Sequence, residues 1–358
     1  MPDWTDHPVF RIVDRLTPVP LPVRDALREG AFDKAGHDHW FDSLPCLQQI
    51  ERGGAPARRA ALTGGASVLF WNTERLRHLD AIAATLADLA PDVLLLCEID
   101  RGMARSRNSD RVVQIAAALD RGYAYAVEFV ELDRGDVQEQ QDHAAQSNQD
   151  GLHGAAILSN AAMIAPFLIR IDRRGDWFGL DRHEPRVGGT IAIGCAVNID
   201  GVPVQMVNVH LESHDDPVAR AGDMERLLRQ VEPLAQGGPV LLGGDFNTST
   251  GSYHERRGAP DAWRAKVAAD PMRLLRPDVH EPLFAVAAEF GYDWGACNVA
   301  DMPTTRHPAG STRLPAKIDW FFTRGLAVSN PRIIAALRPD GQPSSDHEAL
   351  LVTVRPSP

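Results

Sequence analysis

Short apolar runs that each end in a polar motif constrain this sequence more than any other feature. Runs of this length, rich in valine, leucine and isoleucine, are typical of buried β-strands. The motifs that follow them are Trp71-Asn72-Thr73-Glu74, Leu96-Cys97-Glu98, Asn208-Val209-His210-Leu211, Gly243-Gly244-Asp245-Phe246-Asn247, Lys317-Ile318-Asp319 and Ser345-Asp346-His347. A rigid scaffold of strands holds the side chains at its strand ends in fixed positions, so we expect these polar groups to meet at one pocket.

The pattern between the motifs predicts one α/β domain. Apolar residues at helical spacing predict helices over residues 76–89, 110–119, 217–234, 261–269 and 282–290. Further strands are predicted over residues 123–132, 155–159, 167–172, 190–198, 202–211, 316–323, 327–336 and 349–354. Asp200-Gly201 is a strong hairpin signal. Many hairpin-connected strands with helices between them favour two packed sheets that helices cover on their outer faces.

Residues 1–64 have a different character from the rest of the chain. Pro18, Pro20 and Pro22 favour extended backbone, and glycine pairs interrupt the segment further on. A short helix is expected near residues 39–51. We interpret residues 1–64 as an extension that packs on a catalytic domain of residues 65–358. Within that domain, the polar segment 133–150 is predicted to be a surface loop close to the pocket.

Composition narrows the classes of function. The chain has 37 basic and 48 acidic residues and a net charge of −11, whereas proteins that grip many nucleic-acid phosphates are usually basic. Charge therefore disfavours long duplex DNA and favours a small or single-phosphate substrate. The apolar runs are far too short to span a membrane, and no secretory signal core is visible. Four cysteines without a CxxC pattern predict buried free thiols and a cytoplasmic location.

Two acidic residues in apolar surroundings need compensation, because burying a lone carboxylate is costly. Glu98 ends an apolar run, and Mg²⁺ is the natural partner because it prefers hard oxygen ligands. The alternative is an arginine partner such as Arg101. Asp319 lies in a second apolar run, and His347 is the candidate partner, since an Asp beside a His orients the imidazole and raises its basicity. A structural ion pair is the alternative there.

Together and in this order, the motifs resemble those of the endonuclease/exonuclease/phosphatase superfamily. Its members include pancreatic-type deoxyribonucleases, apurinic endonucleases, neutral sphingomyelinases and inositol polyphosphate phosphatases. The resemblance runs from Val68 to Val354. It implies an α/β fold of the four-layer αββα sandwich type, with two packed, mostly antiparallel sheets flanked by helices. It also implies hydrolysis of phosphate esters with a divalent metal, usually Mg²⁺, with Mn²⁺ as a possible substitute.

The resemblance carries roles over to particular residues. The implied metal-binding residues are Glu98, Asn72 and Asp346, and the implied catalytic residues are His210, Asp245, Asn247, Asp319 and His347. The Asp–x–Asn pair would position the attacking water, the Asp–His dyad would handle protons, and the lone histidine would touch the scissile phosphate. One departure is visible: the family's Gly-Asn-Ala-Ile-Leu-Ser segment reads Gly154-Ala155-Ala156-Ile157-Leu158-Ser159 here, so one supporting amide is lost.

Substrate contacts are expected from Arg186, Arg306 and Arg313, whereas Glu212 and His214 are more typical of solvated loop residues. The expected activity is hydrolysis of a phosphodiester, as a nuclease or a small-molecule or lipid phosphodiesterase, by in-line attack of an activated water. The open alternatives are a phosphomonoesterase of the inositol-phosphatase type and an inactive binding scaffold of the same fold. The motifs of binuclear metallophosphoesterases are missing, and no protein partner can be inferred.

Overall fold

Two β-sheets dominate the computed structural model, which describes residues 7–30, 32–179, 184–307 and 310–358. In spatial order, the larger sheet contains β1 (Ile12–Val13), β2 (Ile50–Gly54), β5 (Gly122–Glu131), β6 (Leu152–Ser159), β4 (Val93–Arg101), β3 (Ala66–Arg75), β14 (Ala349–Pro356) and β13 (Leu326–Ile334), with β8 (Arg186–Gly188) paired to β5. The smaller sheet contains β12 (Asp319–Arg324), β11 (Val240–Asp245), β10 (Val202–His210), β9 (Ile191–Ile199) and β7 (Ile164–Arg170). Most pairs are antiparallel, and β1/β2, β3/β4 and β10/β11 are parallel.

Helices cover the outer face of each sheet. The helices are α1 (Leu21–Glu29), α2 (Lys34–Ser43), α3 (Leu79–Leu89), α4 (Arg111–Leu119), α5 (Val137–Asp142), α6 (Pro217–Ala235), α7 (Pro260–Ala269) and α8 (Leu283–Glu289). Apolar residues of α3 and α4 share a core with the larger sheet, and those of α6 and α8 share a core with the smaller sheet. The layers therefore run helix, sheet, sheet, helix, which confirms the predicted fold class.

The inner faces of the two sheets meet in a third apolar core. Phe70 and Leu95 of the larger sheet and Leu241 and Phe321 of the smaller sheet are fully buried there. The sheets approach so closely at Gly243 that a Cβ atom would lie 2.7 Å from the Phe321 ring and 2.8 Å from the Leu95 side chain. Glycine is therefore needed here for packing, because no larger residue leaves room for both neighbours.

One polar contact links the sheets inside this apolar layer. Asn208 of β10 is fully buried, and its Nδ2 donates to the backbone carbonyl oxygens of Leu96 at 2.8 Å and of Ala156 at 3.0 Å. Those carbonyls belong to β4 and β6 of the other sheet. The contact fixes how the strand that carries His210 lies against the strand that carries Glu98.

Most predicted elements are found within a few residues of their expected bounds, and three differ. The helix expected from residue 76 begins at Leu79, because Glu74, Arg75 and Leu76 adopt positive φ angles. The segment 133–150 contains α5, whose capping box between Asp136 and Glu139 stabilises its first turn. The helix expected near residues 39–51 ends at residue 43 as α2, and β2 follows it.

The N-terminal extension contributes more to the sheet than its irregular sequence indicates. Strand β2 pairs with β5 from Ile50 to Gly54 and forms part of the larger sheet. The boundary at residues 64/65 stays a prediction. All four cysteines are free and buried, as expected. Within the described ranges, none of the helices has the length and apolar character needed to cross a bilayer.

We predict that Asn208→Ala lowers the free energy of unfolding by about 1.5 kcal/mol, since two buried carbonyl oxygens lose their donor. Urea denaturation of the metal-free protein measures this change. Asn198→Ala is the matched control, because it removes only the hydrogen bond that Gly201 N donates to Asn198, a partly exposed residue near the end of β9. Equal effects of the two substitutions would show that Asn208 does not link the sheets.

Candidate active site at the junction of the two sheets

Irregular backbone in β3 and β4 turns two polar side chains towards the junction of the sheets. The register between β3 and β4 shifts between Asn72 and Arg75, and that between β4 and β6 shifts between Leu96 and Ile99. Glu98 lies inside the second irregularity with a φ of 52°. A left-handed glutamate costs energy and is retained where the surroundings demand it. Both strands continue past these residues, so the polar groups sit at bulges and not at strand tips.

Asn72 connects carboxylates from the two sheets. Its Nδ2 donates to Glu98 Oε1 at 3.0 Å and to Asp245 Oδ2 at 3.1 Å. Its Oδ1 accepts a hydrogen bond from the backbone N of Glu74 at 3.2 Å. The amide oxygen is thus engaged with backbone, and the side chain serves to hold the two carboxylates. The role of Asn72 as a metal ligand stays a prediction.

Asp245 and Asn247 form a tight turn at the end of β11. The backbone N of Asn247 donates to Asp245 Oδ1 at 3.0 Å, and Asn247 has a φ of 49°. Its Nδ2 donates to the carbonyl oxygen of Leu211 at 2.7 Å. This is the Asx turn that such a spacing commonly forms. Here the turn also brings both side chains to the wall of one cleft.

His347 and Asp319 form the expected pair. His347 Nδ1 lies 3.0 Å and 2.9 Å from the two carboxylate oxygens of Asp319, which is fully buried. His347 Nε2 lies 3.7 Å from Asp245 Oδ2. Burial lowers the pKa of His347, but the charges of Asp319 and Asp245 outweigh burial and raise that pKa well above its usual value. These two neighbouring charges therefore favour the cationic form of the imidazole.

His210 belongs to a second pair that the sequence analysis missed. His210 Nδ1 lies 2.9 Å from Glu128 Oε2, and its Nε2 lies 3.9 Å from Asp245 Oδ2. Burial lowers the pKa of His210, but the neighbouring carboxylates, Glu128 first, raise it to about 10. Glu128 is a charge inside the apolar strand β5, with Val127 and Phe129 on either side, and this is the signal that could have revealed it.

A third pair lies on the same side of the site. His153 Nδ1 is 2.9 Å from Asp100 Oδ1, and Arg105 donates to both oxygens of Asp100 at 2.9 Å and 3.0 Å. Arg101, the sequence-based alternative partner of Glu98, instead pairs with Glu51 at 2.6 Å. The cation that lowers the pKa of Glu98 most is Arg75, which the sequence analysis also missed.

Asp245 is the carboxylate that the two cationic imidazoles share. Burial and the charge of Asp319 raise its pKa, while His347 and His210 lower it, and the result is a pKa of about 6. A carboxylate with this pKa is ionised above neutral pH and can still accept a proton. This property suits a group that receives a proton from water.

Two places in the site could hold a metal ion. Asp245, Asp319 and His347 each offer a ligand atom within 4.8 Å of one another. In that set, His347 Nδ1 and both carboxylate oxygens of Asp319 are already engaged with each other. The other place is the carboxylate edge formed by Glu98, Glu74 and Asp346. There the backbone N of Asp346 donates to Glu74 Oε2 at 3.1 Å.

Electrostatics favours the carboxylate edge. Burial opposes ionisation of Glu98, but Arg75, His153 and His210 outweigh it and hold its pKa at about 2. Burial and the negative charge of Asp346 raise the pKa of Glu74. Several carboxylate oxygens close together form the environment that a hard divalent cation prefers. The residues present therefore fit such an ion.

These groups open onto a cleft of about 580 Å³, called the main cleft below. Its acidic lining residues are Glu98, Asp136, Glu184, Asp245 and Asp346, and its basic ones are Arg75, Arg105, Arg186, Arg256, Arg257 and Arg313. Its histidines are His153, His210, His214 and His347, and Trp177 and Tyr253 lie beside them. Each of the predicted catalytic residues lines this cleft or directly supports one that does.

The arginines predicted to contact substrate have different positions. Arg186 lines the main cleft between the rings of Phe129 and Trp177, 3.9 Å and 4.0 Å from their centroids, and Arg313 lines the cleft too. Arg306 pairs with Glu348 at 2.5 Å and lies outside the lining, so its predicted role has no support here.

The residues just beyond His210 depart from expectation. Glu212 is buried and accepts a hydrogen bond from Trp177 Nε1 at 2.8 Å. His214 stacks on the Trp177 ring with 4.2 Å between centroids and contacts Tyr253 at 3.8 Å. Both were expected to be solvated loop residues. Instead, His214 lines the main cleft beside Trp177, and Glu212 holds the Trp177 ring through its hydrogen bond.

Comparisons with known proteins agree with this arrangement. The model of a family described as the Endonuclease/Exonuclease/phosphatase family matches residues 69–347. The structure is similar to an endonuclease/exonuclease/phosphatase from Beutenbergia cavernae DSM 12333, with 16% identity, a TM-score of 0.51 and coverage of 82% of this chain and 72% of that chain. An endonuclease/exonuclease/phosphatase family protein from Leptotrichia buccalis C-1013-b has 13% identity, a TM-score of 0.51 and coverage of 81% and 99%.

A third similar structure is the human Nocturnin catalytic domain with bound sulfate anion, with 14% identity, a TM-score of 0.50 and coverage of 86% of this chain and 98% of that chain. A search of curated proteins found no matching sequence. At these identities the structural likeness is one of fold.

The pKa of His210 generates a prediction for stability. Because this pKa rises from 6.5 to about 10 on folding, the imidazolium stabilises the fold fully below about pH 6.5 and loses this effect as the pH rises towards 10. With a chelator present, urea titrations should therefore show that the wild type exceeds His210→Gln in free energy of unfolding by less and less as the pH rises across that range. Glu128→Gln should make the free energy of unfolding depend less on pH over the same range. Parallel curves for wild type and His210→Gln would contradict the assigned pair.

Proposed function

The chain belongs to the endonuclease/exonuclease/phosphatase family, whose members are metal-dependent phosphoesterases, and from that premise we propose that it hydrolyses a phosphodiester. One observation carries the proposal: Nε2 of His210 and Nε2 of His347 lie 3.9 Å and 3.7 Å from the same Asp245 oxygen. Two cations around one carboxylate make a site that attracts a phosphate and retains a group able to accept a proton.

We assign the protein groups as follows. Asp245 accepts a proton from the attacking water, since its pKa of about 6 leaves it ionised at neutral to alkaline pH. His347, oriented by Asp319, and His210, oriented by Glu128, donate hydrogen bonds to the phosphoryl oxygens, on which charge grows in the transition state. Asn247 supports the phosphate from the turn beside Asp245. Attack is in line with the departing oxygen.

We propose Mg²⁺ as the metal and Glu98 as its main ligand, with Asp346 and Glu74 alongside and Asn72 holding the carboxylate in place. The ion would supply a positive charge for the phosphoryl oxygens. Mn²⁺ is a possible substitute, because it accepts the same oxygen ligands. Arg186 and Arg313 remain the candidates for holding other parts of the substrate.

The cellular location that we propose is the cytoplasm. Cys46, Cys97, Cys195 and Cys297 are all buried and unpaired. Burial raises the pKa of Cys46, Cys195 and Cys297 to about 12 each, so these thiols resist oxidation and exchange. Free thiols of this kind are ordinary in a reducing compartment.

We predict that the purified protein hydrolyses bis-4-nitrophenyl phosphate with Mg²⁺ and that EDTA abolishes the activity. His347→Ala and Asp319→Asn should each lower kcat by about 10²–10⁴, since the first removes a hydrogen-bond donor to the phosphoryl oxygens and the second removes the group that orients it. Initial rates from 4-nitrophenol release measure both effects. His143→Ala is the matched control, because His143 lies outside the main cleft.

Near-wild-type turnover of His347→Ala would contradict this assignment. The same assay with 4-nitrophenyl phosphate, plasmid DNA and sphingomyelin separates the activities within the class. Preference for the monoester would favour a phosphomonoesterase, and no turnover of any ester would favour a binding scaffold.

A further inference from the structure

A second cavity of about 410 Å³ adjoins the main cleft, and we call it the side cavity. Asn247, Asp346 and His347 are among the residues that line both. A substrate whose phosphate lies against His347 can therefore extend into the side cavity. Its volume falls in the range of sites that enclose a small organic ligand.

One wall of the side cavity is apolar. Trp263 of α7 packs with Leu274, Ala316 and Ile318 in a small cluster that is separate from the three main cores. Leu314 adds a side chain that is 39% exposed. An apolar wall with a tryptophan is suited to a flat or compact apolar group.

The polar part of the lining contains four arginines and one carboxylate, Asp346. Arg256, Arg257 and Arg313 line both cavities, and none of them forms an ion pair with another described residue. Arg264 lines the side cavity alone, and its one ion pair, with Asp261, spans 3.7 Å on the surface. In a chain with a net charge of −11, unpaired guanidinium groups in one place mark a site for an anion.

Resting on the proposed function, we propose that the side cavity binds the nucleoside portion of a nucleotide ester, with the base against Trp263 and a phosphate on the arginines. A lipid chain would have to lie among four guanidinium groups, which disfavours it. A sugar polyphosphate would leave its hydroxyl groups unpaired against the apolar wall. A nucleotide has a flat base for the apolar wall and a phosphate for the arginines.

The test compares two esters with one leaving group: the 5′-(4-nitrophenyl phosphate) ester of thymidine 3′-phosphate, whose 3′-phosphate can reach the arginines, and methyl 4-nitrophenyl phosphate. Trp263→Leu and Arg264→Gln should each reduce the ratio of their kcat/KM values by about tenfold, since a base contact is lost in one and an anion contact in the other. Arg264 is half exposed, so its variant folds. Arg229→Gln on α6 is the matched control, because Arg229 is also exposed, forms an ion pair on its own helix and lines neither cavity.

Calorimetric titration of thymidine 5′-monophosphate supplies a readout that needs no turnover. Weaker binding by about tenfold in both variants supports the side cavity even if neither ester is hydrolysed, in which case the proposed function fails alone. Unchanged kcat/KM ratios together with unchanged nucleotide binding overturn the inference while leaving phosphodiester hydrolysis intact. A preference for sphingomyelin over both nitrophenyl esters also overturns it.

Discussion

Buried negative charge at the junction of the two sheets is the constraint on which the rest of the site depends. Asp245 is 2% exposed and Asp319 fully buried, and such groups persist only with compensation. Each receives it differently: Asp319 from one imidazolium, and Asp245 from two imidazoles and the Asn72 amide. Since these partners come from both sheets, the site forms only when the two sheets pack correctly.

Local irregularities in the backbone bring these partners together. The bulges at Asn72 and Glu98 aim side chains across the sheet junction, and the turn after Asp245 does so from the other sheet. Gly243 allows the close approach, and Asn208 fixes the alignment. The left-handed conformation of Glu98 costs stability that the large apolar cores on both faces offset.

Much of this arrangement could be predicted from the sequence, because periodic apolar runs and polar motifs are local signals. The strands, most helices and the meeting of Asp245, Asp319 and His347 belong to that part. Glu128 and His153 could not be identified as site residues from the sequence. A single polar residue in an apolar strand becomes informative only when its partner on another strand is known. Arg306 is the opposite case. Its position in the sequence indicated a place in the site, but its side chain forms an ion pair with Glu348.

The position of the divalent ion tests the central claim most directly. Crystals of the protein grown with Mn²⁺ would locate the ion by its anomalous scattering. The account predicts a peak at coordination distance from a Glu98 carboxylate oxygen, with the bond between His347 Nδ1 and Asp319 intact. A peak among Asp245, Asp319 and His347, with that bond replaced by metal ligation, would contradict it.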